Sequence, residues 1–138
     1  MKTKYDVEIL QLMNLFEKIT RAKLKDCFLN RDKLFFVVER GHLRKALGVK
    51  NENVHKLVKA TNRNIKIVEF NPNVLEFTKN VLHPLKVEDI SMEDGVITVR
   101  GSDTKTKGLM IGARAQNLRN YEDIIRKYFE EVKEIKVV

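Results

Sequence analysis

The spacing of apolar positions changes several times along the first half of the chain. Apolar residues first recur every three or four positions, which is typical of an amphipathic helix. Short runs rich in β-branched and aromatic residues, bounded by polar turns, then predict strands. The predicted order is helix 5–20, strand 23–29, strand 33–39, a short helical turn ending at Leu47, helix 52–61 and strand 65–69.

The second half repeats this order of elements. Asn71 followed by Pro72 predicts a helix start, with asparagine as the cap and proline at the first helical position. Asp94-Gly95 predicts a hairpin turn between two strands. The other predicted elements are strand 85–91, strand 96–100, a helical turn 108–111, a helix carrying Leu118, Tyr121, Ile125 and Tyr128, and strand 132–138.

The two halves also share a register. Matched residues lie 64 positions apart: a glycine, an asparagine five residues later, and the aliphatic residue after it. Such repetition indicates duplicated structural units more strongly than a single motif does. We therefore predict an α+β protein with two domains, 1–70 and 71–138, each in the order α-β-β-α-α-β. The matched pairs are Gly48 with Gly112, Asn53 with Asn117, and Val54 with Leu118.

The positive charge is confined to the first half. The net charge is +8, with 27 Lys and Arg against 19 Asp and Glu. Residues 1–70 carry all of this excess, and residues 71–138 are neutral. One acidic residue, Glu52, lies among eight basic residues between Arg40 and Lys66. A segment so one-sided favours a polyanionic partner, because neutralising phosphates releases condensed counterions.

The two repeated glycines suggest how a nucleic acid is held. Glycine permits a positive φ and a close backbone approach. The helix that follows presents free N–H groups and the positive end of its dipole, which suit a phosphate. Each loop also carries one cation, Lys50 or Arg114. The candidate RNA-binding residues are Arg44, Lys45, Gly48, Val49, Lys50, Asn51, Asn53, Lys56, Gly112, Ala113, Arg114, Ala115 and Asn117.

Apolar residues beside each loop are candidates for a surface on which unstacked bases rest. In the first half they are Leu47, Val54, Ile65 and Ile67; in the second half they are Ile111 and Leu118.

At these residues the chain resembles the tandem KH region of the NusA transcription factors, above all the short archaeal form. Lys107 to Leu118 looks like the loop of the second KH domain, and Arg40 to Val54 looks like that of the first. The segments Leu15 to Cys27 and Ile67 to Val87 resemble the N-terminal stretch and the join between the domains. The resemblance covers nearly the whole chain.

The resemblance implies two tandem type II KH domains, each a three-stranded sheet with helices packed on one face. KH modules clamp about four nucleotides of single-stranded RNA. The resemblance also implies a role in transcription termination, antitermination or elongation, with single-stranded RNA as partner and RNA polymerase or the ribosome as a further candidate.

The chain departs from the Gly-x-x-Gly loop of that family. Asn51 and Ala115 occupy the fourth position of the two loops. Asparagine tolerates the left-handed region, whereas alanine there costs roughly 1 kcal/mol. Each loop also has one basic residue where the family usually has two. We therefore expect weaker RNA binding than in typical relatives, with the second loop the weaker of the two.

Two other classes of function agree less well with the sequence. A degenerate KH pair acting as a scaffold, or as a ribosome-associated factor that binds ribosomal RNA, is the main alternative, and the missing glycines favour it. An enzyme is not expected. The carboxylates of Glu88, Asp89, Glu93 and Asp94 are close in sequence, but they flank a hairpin turn, where acidic residues are usually solvated.

Cofactors, metals and membranes are not expected either. Cys27 is the only cysteine, and His42, His55 and His83 have no partner at metal-ligand spacing. No apolar run is long enough to span a bilayer, and no apolar signal core follows Met1. We expect a cytoplasmic protein without a small-molecule substrate.

Overall fold

The computed structural model describes residues 5–138 as two compact units that divide between Phe70 and Asn71. Both units have the order helix, strand, strand, helix, helix, strand, and each has one three-stranded sheet, so the α+β prediction is confirmed. The first unit contains α1 (Val7–Thr20), β1 (Leu24–Asn30), β2 (Lys33–Val38), α2 (Leu43–Leu47), α3 (Glu52–Thr61) and β3 (Asn64–Glu69). The second contains α4 (Val74–Leu82), β4 (Val87–Glu93), β5 (Val96–Gly101), α5 (Thr104–Ile111), α6 (Gln116–Arg126) and β6 (Glu134–Val137).

The sheet of the first unit has the order β1-β2-β3. β1 runs antiparallel to β2, and β3 runs parallel to β2. Because β3 is last in the strand order, it is an edge strand. Alternate residues of β2 face the helices, because side chains alternate across a strand. They are joined in one buried cluster by a residue from each helix: Phe16 of α1, Ala46 of α2 and Leu57 of α3. The stacked rings of Phe16 and Phe36 lie 4.4 Å apart between centroids.

The second unit repeats this arrangement with the order β4-β5-β6. β6 pairs in parallel with β5 and is again an edge strand. Ile97 and Val99 of β5 are fully buried, whereas Arg100 is exposed. Phe77 of α4 contacts two aromatic rings that follow α6, those of Tyr128 and Phe129.

Local capping moves two helix starts away from the predicted positions. The cap of α4 is Asn73 rather than Asn71, because the Asn73 side chain accepts the N–H groups of Leu75 and Glu76. The Asn71 side chain instead accepts the Asn73 N–H. α5 begins at Thr104, four residues before the prediction, because Asp103 provides a cap that the sequence pattern did not reveal.

Asp103 acts through its carboxylate, which accepts the Thr106 N–H at 2.7 Å. This hydrogen bond lowers the pKa of the Asp103 carboxyl. The strands β4 and β6 also begin later than predicted, at Val87 and Glu134.

A buried polar group lies beside the first core. The Asp26 side chain accepts the Tyr5 hydroxyl at 2.6 Å and the Cys27 N–H at 2.8 Å. Cys27 itself is buried in the apolar cluster. Burial, with the neighbouring Asp26 charge as the smaller cause, raises the pKa of the Cys27 thiol to about 12. Because the thiolate is the nucleophile, this cysteine is expected to be unreactive in the folded protein.

We therefore expect Cys27 to react with a thiol reagent such as DTNB only after unfolding. At pH 8 the folded protein should show almost no absorbance change, and the protein in 6 M guanidinium chloride should release one equivalent of chromophore. Stoichiometric labelling of the folded protein within the mixing time would contradict the burial of this side chain.

Candidate nucleic-acid interface

A tight left-handed turn joins α2 to α3 in the first unit. Gly48 has φ 75° and ψ 177°, a combination that favours glycine, and a single 3-10 turn over Val49–Asn51 follows. Lys50 and Asn51 both lie in the left-handed region, with φ 51° and 59°. The tip of this loop is exposed, and 73% of Val49 is accessible to solvent.

The second unit contains the same turn between α5 and α6. Gly112 has φ 73° and ψ 174°, and Arg114 and Ala115 have φ 55° and 60°. These angles differ from those of the first loop by only a few degrees. The alanine at the fourth position therefore does not change the backbone conformation of the loop, although the related family has glycine there.

An asparagine side chain fixes each turn from behind. Asn53 donates through its side-chain amide to the Lys45 carbonyl oxygen at 3.1 Å. Asn117 donates in the same way to the Leu109 carbonyl oxygen at 2.8 Å. Both acceptors lie eight residues before the donor, so the amide ties the start of one helix to the preceding helix.

The glycines are required by these asparagines as well as by their own φ. A Cβ atom on Gly48 would lie 2.9 Å from Asn53 Nδ2, and one on Gly112 would lie 2.6 Å from Asn117 Cγ. Both separations are shorter than real Cβ contacts. Asn53 is buried, so among the sequence candidates this residue shapes the loop from inside, and its side chain is not displayed on the surface.

The N-termini of α3 and α6 are not capped by side chains. Neither Asn51 nor Ala115, the cap residues, makes a side-chain hydrogen bond to the helix that follows. The N–H of the first residue of each helix donates to a loop carbonyl, Glu52 to Val49 and Gln116 to Ala113. The positive end of the helix dipole nevertheless lies at the loop. The geometry suits an anion beside each loop.

Most cations predicted around the first loop are exposed. Within residues 5–138 the structure records no ion pair for six of them: Arg40, Arg44, Lys45, Lys50, Lys56 and Lys59.

Two other basic residues of the same segment are paired or half-buried, and one acidic residue reduces the positive charge near the loop. Arg63 pairs with Glu8 at 2.8 Å. Lys66 is half-buried on β3, and burial lowers the pKa of its ammonium group. Glu52 lies exposed on the first turn of α3, next to the loop.

The second loop has the same backbone but a different charge. At the 64-residue spacing, Arg114 matches Lys50 and is exposed. The other three predicted cations have neutral counterparts, since Arg44, Lys45 and Lys56 correspond to Gly108, Leu109 and Asn120. The two loops therefore differ in electrostatics far more than in shape.

A partly open apolar surface lies next to the first loop, where α2 and α3 contact the edge strand β3. The four apolar residues predicted here, Leu47, Val54, Ile65 and Ile67, are all half-buried. The structure adds Val58 on α3, of which 40% is exposed. Val58 lies one helical turn beyond Val54, so the spacing of apolar residues on α3 was the signal that pointed to it.

Between residues 5 and 138 no three side chains of His, Cys, Asp or Glu are grouped so that they could hold a metal ion. No helix in that range is long and apolar enough to cross a bilayer.

Proteins of known identity resemble the chain over nearly its whole length. No family model matches it. A "Probable transcription termination protein NusA" of Methanococcus vannielii is 30% identical over 142 aligned residues, which cover 100% of this chain and 81% of that protein. Proteins of the same name are 24% identical in Methanocaldococcus jannaschii, covering 99% and 76% of the two chains, and 27% identical in Halobacterium salinarum, covering 89% and 90%.

A solved structure, "Crystal structure of APE1850", has a similar fold. Its TM-score is 0.73 at 22% sequence identity, and the alignment covers 97% of this chain and 100% of that one.

The strained backbone of the second loop allows a direct test of its geometry. Replacing Ala115 by glycine should leave the stability nearly unchanged or raise it slightly, because removing a side chain from the left-handed region gains about 1 kcal/mol and offsets the cost of glycine's flexibility in the unfolded chain. Urea unfolding followed by circular dichroism measures the change.

Ala113→Gly is the matched control, because Ala113 lies in the same turn but does not have a positive φ. This variant should lose up to about 1 kcal/mol through the greater flexibility of glycine in the unfolded chain. Equal effects of the two substitutions would contradict the left-handed conformation at Ala115.

Proposed function

Because the chain belongs to the archaeal NusA-like family of transcription termination proteins, we propose that it binds single-stranded RNA during transcription termination or elongation. The single observation that carries the proposal is the turn at Gly48, with its exposed cations and uncapped helix. Phosphates of an RNA strand would lie against the first turn of α3, with Lys50 as counter-charge.

We interpret the two units as tandem type II KH domains, 1–70 and 71–138. The element order α-β-β-α-α-β and the glycine-led turn between the second and third helices of each unit support this interpretation. In each unit the last strand runs parallel to the middle strand at the edge of the sheet.

The first unit is proposed to supply most of the affinity. Arg44, Lys45, Lys50 and Lys56 would neutralise the RNA backbone, and Gly48, Val49 and Asn51 would let it approach. Asn53 would act by positioning the turn. In the second unit, Gly112, Ala113, Arg114 and Ala115 would form a weaker contact with one cation, and Asn117 would position it.

The family name also supports RNA polymerase as a partner. The second candidate function is a scaffold in which the KH units no longer bind RNA, or bind ribosomal RNA weakly. Asn51 and Ala115 in place of glycine favour the scaffold, but the left-handed angles of both residues reduce that support. No enzymatic activity is proposed.

Reversing the charge at the tip of the first loop should remove most of the RNA affinity and leave only the weaker contact of the second unit. In the double variant Val49→Asp and Lys50→Asp, two carboxylates would face the phosphate and repel it. Both side chains are exposed, so the fold should survive. Fluorescence anisotropy with a labelled oligouridine about eight nucleotides long, enough for two units of about four each, measures the affinity.

The matched control is Ala113→Asp with Arg114→Asp, which makes the same change at the equivalent positions of the second loop. This variant should lose much less affinity. Unchanged RNA affinity after the first pair of substitutions would contradict the proposed clamp. Failure of the unaltered chain to bind any RNA would favour the scaffold.

The salt dependence of binding should report a short clamp. Three or four neutralised phosphates on a single strand correspond to a slope of about −2 to −3 for log K against log of salt concentration. A titration from low to moderate NaCl with RNA, single-stranded DNA and duplex measures it. A slope close to zero would contradict phosphate contacts as the main source of affinity.

A further inference from the structure

The second unit carries a buried carboxylate at the position where the first unit has an exposed apolar side chain. Glu122 on α6 is 2% exposed, and it corresponds to Val58 on α3 at the 64-residue spacing. Its Oε2 atom accepts the Ile135 backbone N–H at 2.8 Å. The Arg119 guanidinium donates to both carboxylate oxygens, at 3.1 and 2.9 Å.

The Ile135 N–H belongs to the free edge of the sheet. The N–H of Glu134 at the start of β6 donates to the Gly95 carbonyl, and the N–H of Val138 just after β6 donates to the Val99 carbonyl. Because N–H groups alternate in direction along a strand, the N–H of Ile135 points outwards. An outward edge presents donors and acceptors ready for a partner. In the second unit, the Glu122 carboxylate already accepts a hydrogen bond from that N–H group.

The same edge in the first unit is not occupied in this way. The Phe70 N–H donates to Val38, so Ile65 and Ile67, at the alternate positions, present their N–H groups outwards. Ile65 corresponds to Ile135, because they pair with the second residue of β2 and β5 respectively. Valine at position 58 has no acceptor to offer this edge.

The matched residues of this surface are more exposed in the first unit than in the second. Val54 is half-buried and Val58 is 40% exposed, but their counterparts Leu118 and Glu122 are 9% and 2% exposed. Ile65 is half-buried, whereas Ile135 is 2% exposed. The surface between the third helix and the edge strand is therefore open in the first unit and filled in the second.

We propose that Glu122 closes the second unit to RNA bases, by filling the space between α6 and β6 and by holding the edge N–H that a base would pair with. The residue at this position, valine in the first unit and glutamate in the second, then decides which unit accepts bases. This inference rests on the proposed function, since it concerns bases of the same single-stranded RNA.

The loops cannot account for this difference by shape, because their backbone angles agree closely. Charge explains a difference in phosphate affinity, but it does not explain why an apolar surface is open in one unit and covered in the other. A carboxylate within this surface would instead affect the binding of the bases, because proteins recognise bases through hydrogen bonds to their edges.

The test opens the second unit in a protein whose first loop has been disabled. In the Val49→Asp, Lys50→Asp background, Glu122→Val should raise affinity for the labelled oligouridine about tenfold, the gain expected from ordering a single base on a protein surface. Glu122→Gln, which keeps an acceptor for Ile135, should gain much less. Adding Ala113→Asp and Arg114→Asp should remove the gain.

The reciprocal variant does not depend on a buried site. Val58→Glu in the otherwise unaltered chain places a carboxylate on the open surface and should lower RNA affinity about tenfold, by the same reasoning. Ala60→Glu is the control, because it adds the same charge at an exposed position on another side of α3. It should change the affinity much less.

The outcomes distinguish a failure of the RNA clamp from a failure of the role proposed for Glu122. An unimpaired Val49→Asp, Lys50→Asp protein contradicts the clamp of the proposed function. If that protein has lost binding and a folded Glu122→Val derivative gains none, only the present inference is overturned. If Glu122→Val does not fold, Val58→Glu decides: binding as tight as in the unaltered chain overturns the inference, and a loss confined to Val58→Glu supports it.

Discussion

The turn in each half of the chain depends on an asparagine amide that occupies the space where a Cβ would lie on the glycine five residues before it. The asparagine needs the space that a Cβ would take, and in return its side chain holds the helix before the turn against the helix after it. The left-handed residues between them are stable only while both ends are fixed in this way. The exposed loop tip and the start of the helix without a side-chain cap follow from this arrangement in both units.

The two units show how one backbone can carry different chemistry. The turns at Gly48 and Gly112 agree in their angles, and both are held by the same hydrogen bond. Around the first turn lie exposed cations and an apolar surface that is partly open. Around the second, most of the corresponding cations are replaced by neutral residues, and Glu122 fills the equivalent surface. Duplication of a fold therefore does not imply duplication of its surface chemistry.

The sequence predicted much of the fold because hydrophobic spacing and repetition are strong signals. The element order, the position of both turns and the pairing of Asn53 with Asn117 could all be read from it. Helix starts were less predictable, since Asn71 and Asn73 are both good caps and only the local chain path selects Asn73. The early start of α5 depends in the same way on the orientation of the Asp103 side chain.

The positions of the two turns that form the candidate site could be predicted, but the burial and contacts around them could not. The sequence made Asn53 a candidate RNA-binding residue and gave no sign of its structural role, because its acceptor, the Lys45 carbonyl, is brought to it only when the turn forms. The contrast between Val58 and Glu122 depends on burial, which the spacing alone does not reveal. The connection to the edge strand is two residues long after α3 and seven after α6, so the two helices meet their strands differently. The central claim, that single-stranded RNA binds the first unit, is tested most directly by an NMR titration of the labelled protein with a short oligouridine. The account predicts amide shifts concentrated between residues 43 and 67, with small changes between 107 and 126. Equal shifts in both segments, or shifts confined to the second, would contradict it.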